Sequence, residues 1–231
     1  GISDVTEREA LEFIVKGLQN SKKKGYIVTL NPEIIVHANK DRRFRDVLNN
    51  ARLGLPDGMG VIWGGKILGK HFEERVSGVD MVEKLCKKAE ELGLVTGFLG
   101  GRAKIAERAS ECLRQKYPRL LVGFVGEEWK NVRSRSIDIL FVAFGFPKQE
   151  FWMAENIDKI PVKIALGVGG SFDFISGAVT RAPKWVRDLG FEWFFRLFAQ
   201  PWRFKRQLAL LTFIYMVARE KLAIQRKNIN N

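Results

Sequence analysis

Cysteine and histidine are scarce in this 231-residue chain, two of each, and that scarcity argues against several chemistries at once. Cys86 and Cys112 fall in helix-like segments without metal spacing, so they read as buried, reduced thiols rather than a disulfide framework or a zinc site. His37 and His71 stand apart, which argues against a histidine-based metal centre. No Gly-Lys-Ser/Thr phosphate loop occurs, which disfavours NTP hydrolysis. Residues 97–101 lack the Gly-x-Gly-x-x-Gly order, and no acidic residue follows at a strand end to hold a ribose; a nicotinamide-dependent oxidoreductase is disfavoured. None of the nine aspartates forms an Asp-x-Asp triplet. The longest apolar run, 208–218, is far shorter than the roughly 20 residues a bilayer-crossing helix needs. The first twenty residues read as an amphipathic helix rather than a secretory leader, with Thr6 and Glu9 spaced for a capping box.

What the chain has in abundance is positive charge. Its formal net charge is +13, and residues 181–231 supply +8 of it, from eleven Lys/Arg against three Asp/Glu. The same stretch carries three of the six Trp and six of the seventeen Phe. Cations interleaved with large aromatics suit a surface that binds phosphate and rests on anionic headgroups. A nucleic-acid groove uses the same mixture, so the rest of the chain has to decide.

Upstream, strand-like and helix-like segments alternate. Strands are predicted at 26–30, 95–99, 120–125, 137–144 and 162–166. Helices are predicted from Pro32 to about Asn50, over 78–92 and 102–117, and from about Lys148. The near-continuous apolar run at 137–144 is what a strand buried on both faces requires. The expected fold is α/β, a mostly parallel, Rossmann-like sheet flanked by helices. Near Gly190 the pattern becomes aromatic and cationic, which divides the chain into a core of 1–190 and a helical appendage of 191–231. That apolar appendage would pack on a partner subunit, making a homo-oligomer, or on lipid.

In an open parallel sheet, ligands bind beyond the carboxyl ends of the strands. The notable polar residues fall there: Thr29 and Asn31, Pro147-Lys148-Gln149-Glu150, and Gly167 through Asp173 with its glycine turn. Asp57, between Pro56 and Gly58, is an acid presented in a tight turn. Asp80 is placed to cap the helix after it, whereas Arg75 has no evident structural partner.

Together these segments resemble the WecG/TagA/CpsF glycosyltransferases (glycosyltransferase family 26). The resemblance rests on Thr29-x-Asn31-Pro-Glu33, Pro56-Asp57-Gly58-x-Gly60, Arg75-x-x-Gly78-x-Asp80 and Gly145-x-Pro147-Lys-Gln149-Glu150-x-Trp152. It continues through Gly167-x-Gly169-Gly170-x-Phe172-Asp173, Arg181-Ala-Pro183, Glu192-Trp193-x-x-Arg196 and Pro201-x-Arg203-x-x-Arg206. It implies an inverting transferase that moves a sugar from a UDP donor to an undecaprenyl-diphosphate-linked sugar at the cytoplasmic face of the plasma membrane. The expected donor sugar is N-acetylmannosamine, for wall teichoic acid linkage; other branches use mannosaminuronic acid, glucose or glucuronic acid.

By that resemblance Asp57 is the general base, Thr29 and Asn31 position it or the sugar, and Arg75 holds the acceptor or the donor phosphates. Gln149 meets the diphosphate and Asp173 the uridine. Arg196, Arg203 and Arg206 would bind the diphosphate in place of a metal, since guanidinium binds phosphate in a bidentate way. No cofactor, metal or nucleic-acid partner is expected. The family usually has a longer helix where this chain has 126–136, leaving Trp129 as the aromatic available there.

Overall fold

The structure, a computed structural model, describes residues 1–20, 23–129, 136–199 and 204–229. Helix α1 (Glu7–Asn20) opens on the expected capping box. The Thr6 amide and hydroxyl donate to the Glu9 carboxylate at 2.8 and 3.0 Å, and the Glu9 amide donates to Thr6 Oγ1 at 3.1 Å. Next come β1 (Gly25–Leu30), α2 (Pro32–Lys40), α3 (Arg42–Asn49), β2 (Leu53–Pro56), α4 (Met59–Ile67) and α5 (Gly78–Leu92). Then follow β3 (Val95–Gly100), α6 (Ile105–Lys116), β4 (Leu121–Gly126), β5 (Ile137–Ala143), α7 (Lys148–Asn156) and β6 (Val162–Gly167). The chain continues through α8 (Ser171–Ile175), α9 (Lys184–Asp188), α10 (Glu192–Ala199) and α11 (Phe204–Ile229).

The strands form one six-stranded, all-parallel sheet in the order β2-β1-β6-β5-β3-β4. Every residue of β1 is buried, as are the first six of β5, which is why both read as apolar runs without alternation. One face of the sheet packs on α1, α5, α6 and α8 through Ile14, Met81, Leu85, Leu113 and Phe172. The other packs on α2, α3 and α7 through Ile34, Phe44, Leu48 and Met153.

The C-terminal helix is joined to this core. Phe213 and Val217 of α11 bury themselves against Val36 of α2, and Gly64 of α4 lies so close to the Phe213 ring that an added Cβ would come within 2.8 Å of it. No helix among the described residues is long and apolar enough to cross a membrane.

Several local expectations need correction. The helix expected through Asn50 is two helices, because Asp41 breaks the first and its side chain caps the second, accepting from the Phe44 amide at 3.0 Å. Helix α6 starts at Ile105 rather than 102; Gly100, Gly101, Ala103 and Lys104 all have positive φ and hold the chain out of the helix. Of the two thiols, Cys86 is buried and Cys112 is exposed on α6.

Candidate active site

Strand register gathers the site. Leu30 pairs with Pro56, Val142 with Gly167 and Gly100 with Ala143, so the carboxyl ends of β1, β2, β6, β5 and β3 share one edge. Residues following those ends, distant in sequence, therefore become neighbours.

Asp57 leaves β2 in a tight turn. Its amide donates to the Leu30 carbonyl at 2.8 Å, and Gly58 then takes φ +104°, a conformation that favours glycine. Its Oδ2 accepts from the Gly78 amide, the first residue of α5, at 3.4 Å. Glycine at 78 permits that approach: a Cβ there would lie 3.2 Å from Ser171 Oγ, 3.5 Å from Thr29 Cγ2 and 3.7 Å from Asp57 Oδ2. Asp57 is partly exposed at this edge of the sheet. Burial pushes its pKa up to about 6, against the opposing pull of Arg75 and the Gly78 amide. An acid with that value is ionised at neutral pH and basic enough to accept a proton from a hydroxyl.

Thr29 is buried, and its hydroxyl donates to the Gly167 carbonyl at 3.0 Å, tying β1 to β6 at the edge where Asp57 emerges. Asn31 caps α2, its Oδ1 accepting from the Ile34 amide at 3.0 Å. Gln149 is buried at the start of α7. Its Oε1 accepts from the Gly169 amide at 3.0 Å, and its Nε2 donates to Glu150 at 2.8 Å, so it organises the glycine turn after β6. Asp173 is partly exposed in α8, and its carbonyl accepts from the Val179 amide and the Ser176 hydroxyl.

Arg75 does have a partner: its Nη1 donates to Glu192 Oε2 of α10 at 2.8 Å. Asp80 lies within the first turn of α5 and does not cap it. It takes a bidentate pair from Arg181 at 2.6 and 2.8 Å. Burial alone would raise the Asp80 carboxyl, but the guanidiniums of Arg181, Arg187 and Arg75 outweigh it and hold it below the usual carboxylate range.

Arg196 falls in α10 and Arg206 in α11, so two separate helices carry them; their side chains lie outside the described residues, as does all of Arg203. Trp129 packs at a tilt against Phe124 and Trp152, at centroid distances of 4.8 and 6.2 Å.

Sequence reasoning missed four participants: Gly78, Ser171, Arg181 and Glu192. Gly78, Arg181 and Glu192 stand in the family-like segments, which by themselves assign them no task. Glu150 stands in those segments too. It is fully buried with Oε2 unpartnered, and burial raises its pKa to about 7, partly offset by the bond from Gln149.

An all-parallel α/β sheet with an acid, a glycine turn and several arginines at one edge is suited to group transfer from an anionic ligand. The glycosyl transferase WecG/TagA/CpsF family profile matches residues 1–227, and the chain belongs to that family.

Among its relatives is the N-acetylglucosaminyldiphosphoundecaprenol N-acetyl-beta-D-mannosaminyltransferase of Bacillus subtilis strain 168, 31% identical over 219 residues, covering 91% of this chain and 86% of that protein. The proteins of the same name from Bacillus spizizenii and Staphylococcus aureus strain MRSA252 are 32% and 31% identical. They align over 212 and 209 residues, 88% and 87% of this chain and 82% of each relative.

Proposed function

We propose that this glycosyltransferase moves N-acetylmannosamine, with inversion and without a metal, from UDP to the N-acetylglucosamine of an undecaprenyl-diphosphate-linked acceptor, in wall teichoic acid linkage. The observation that carries it is Asp57. Its carboxyl, with a pKa of about 6, is set on a glycine turn beside Arg75 at the sheet edge where the family's ligands would lie. The names of the relatives supply the sugar and the acceptor.

In this reading the acceptor hydroxyl attacks the anomeric carbon while Asp57 takes its proton. The bond from that carbon to the UDP oxygen breaks, and UDP departs with the electron pair. Arg75 and the cations Arg196, Arg203 and Arg206 stabilise the negative charge that develops on the diphosphate. Thr29 and Asn31 act through the backbone they fix, and Gln149 through the glycine turn it holds under the diphosphate. Asp173 is assigned to the uridine.

The protein works at the cytoplasmic face of the plasma membrane. Trp185, Phe191, Trp193 and Phe194, exposed on and beside α9 and α10, supply apolar contact, and the basic residues around them supply attraction to anionic lipid.

The test is UDP release with a short-chain lipid-diphosphate N-acetylglucosamine acceptor, screened over UDP-N-acetylmannosamine and the mannosaminuronic acid, glucose and glucuronic acid donors, with and without EDTA. Turnover with the first donor, undiminished by EDTA, is expected. Preference for another donor would overturn the sugar assignment. Loss on chelation, restored by Mg²⁺ or Mn²⁺, would overturn the metal-free mechanism.

A further inference from the structure

Three guanidiniums and two carboxylates meet at the lip of the crevice, beside Asp57. Arg181 grips Asp80 through both terminal nitrogens and reaches Ser77 Oγ at 3.2 Å. Arg187 stands 3.9 Å from Asp80. Glu192, arriving from α10, spans Arg75 at 2.8 Å and Arg181 Nε at 3.5 Å.

That last separation leaves Arg181 Nε buried with no hydrogen-bond partner, so a donor is left over beside Glu192. Among the described residues, Glu192 is the one side chain to which Arg75 donates a hydrogen bond. The two arginines come from separate loops, before α5 and before α9, and converge on one carboxylate. Two guanidiniums around a single acid, with a donor to spare, suit an anion with more oxygens and more charge than a carboxylate.

We infer that Arg75 and Arg181 together form the seat for the diphosphate of the donor, and that Glu192 is its internal occupant, displaced when the ligand enters. The inference rests on the proposed reaction for the identity of the diphosphate, and it adds Arg181 to the ligand-binding residues. A diphosphate can bring oxygens within hydrogen-bond distance of Arg75 and Arg181 Nε at once, whereas the Glu192 carboxylate bonds Arg75 and stands 3.5 Å from Arg181 Nε. While Asp80 already holds Arg181, occupancy by Glu192 neutralises Arg75. The same carboxylate acts on the base: the charged groups around Asp57 are Arg75, which lowers its pKa, and Glu192 and Asp80, which raise it.

The experiment is calorimetric titration of inorganic pyrophosphate and of UDP into wild type, Glu192→Gln, Glu192→Asp and Arg75→Gln/Glu192→Gln. Glu192→Gln removes the competing charge and should tighten pyrophosphate by about three- to tenfold, the scale of losing one partly exposed ion pair. Glu192→Asp, one methylene shorter, should tighten it less. The double variant should bind more weakly than Glu192→Gln.

Unchanged or weaker pyrophosphate binding in Glu192→Gln would overturn the inference. Should that variant fail to fold, Glu192→Asp decides by the same criterion. If UDP-sugars are not turned over, the proposed reaction falls, whereas tighter pyrophosphate binding would still establish the anion seat. With turnover in hand, the acid limb of kcat/KM should move to lower pH in Glu192→Gln, because a neighbour that raises Asp57 is gone; a fixed limb would count against the displaced-occupant geometry.

Discussion

Asp57 is subject to opposing requirements. A base needs to be unprotonated at working pH, yet burial favours its neutral form and places its pKa at about 6. The kcat/KM profile should therefore fall on the acid side with a limb near that value. Asp57→Asn should keep the fold and UDP binding and reduce kcat by about two to four orders of magnitude, the usual range for a lost general base; near-wild-type turnover would remove Asp57 from that role. Glu150 makes a different prediction, about stability. Its pKa is raised from 4.5 to about 7. As pH rises through that window the unfolded chain releases this proton first, so the folded state loses stability, fully by pH 8. Glu150→Gln keeps an acceptor for Gln149 and removes that penalty. Its unfolding free energy should exceed wild type's at pH 8 by an amount on the order of 1–3 kcal/mol, and the gap should close below pH 4.5. A gap independent of pH would assign the effect to packing instead.

Among the elements, those with long apolar runs were legible and the short ones were not. Five of the six strands announced themselves, because a buried parallel strand has little freedom to be polar. The edge strand β2 did not: Leu53-Gly-Leu-Pro56 is four residues with a glycine and a proline, a composition that reads as a turn. Helix α4 was hidden in the same way by Gly60, Gly64 and Gly65, although all three are where neighbours approach: Gly60 meets Pro32, Gly64 meets Phe213 and Gly65 meets Phe72. For the site, the motif residues Thr29, Asn31 and Asp57 fall at one edge of the sheet as their positions after strands suggest, but Arg75–Glu192 and Arg181–Asp80 join positions 117 and 101 apart, and no local pattern encodes such pairs. The docking of α11 yields a test at this scale. Phe213→Ala should loosen α11 from α2 and α4, with a cost of up to about 3 kcal/mol in that contact, and should speed limited proteolysis within 204–229. Adding Gly64→Ala places a methyl where the ring was and should recover part of the protection. No recovery would mean that Phe213 is not what holds the helix.

For the whole molecule, charge and exposed aromatics act together. With a net charge of +13, the protein should co-sediment with vesicles containing phosphatidylglycerol and release progressively as salt rises. Trp193→Ser should weaken binding to these vesicles at every salt concentration, because the loss is apolar. Equal affinity for neutral vesicles, or stronger salt-dependent retention on random DNA, would contradict the membrane assignment. The packing of α11 on α2 also has a consequence in time. Helix α2 leaves the ribosome well before the residues that cover its Val36, which are Phe213 and Val217 of α11. At roughly 5–20 residues per second, that outer face stays uncovered while all the residues between α2 and α11 are made. Glu192 also arrives late, so a nascent chain carries Asp57 and Arg75 long before the crevice has its lip. Competence therefore comes only once α10 and α11 have emerged, and a chain stalled before α10 would lack it.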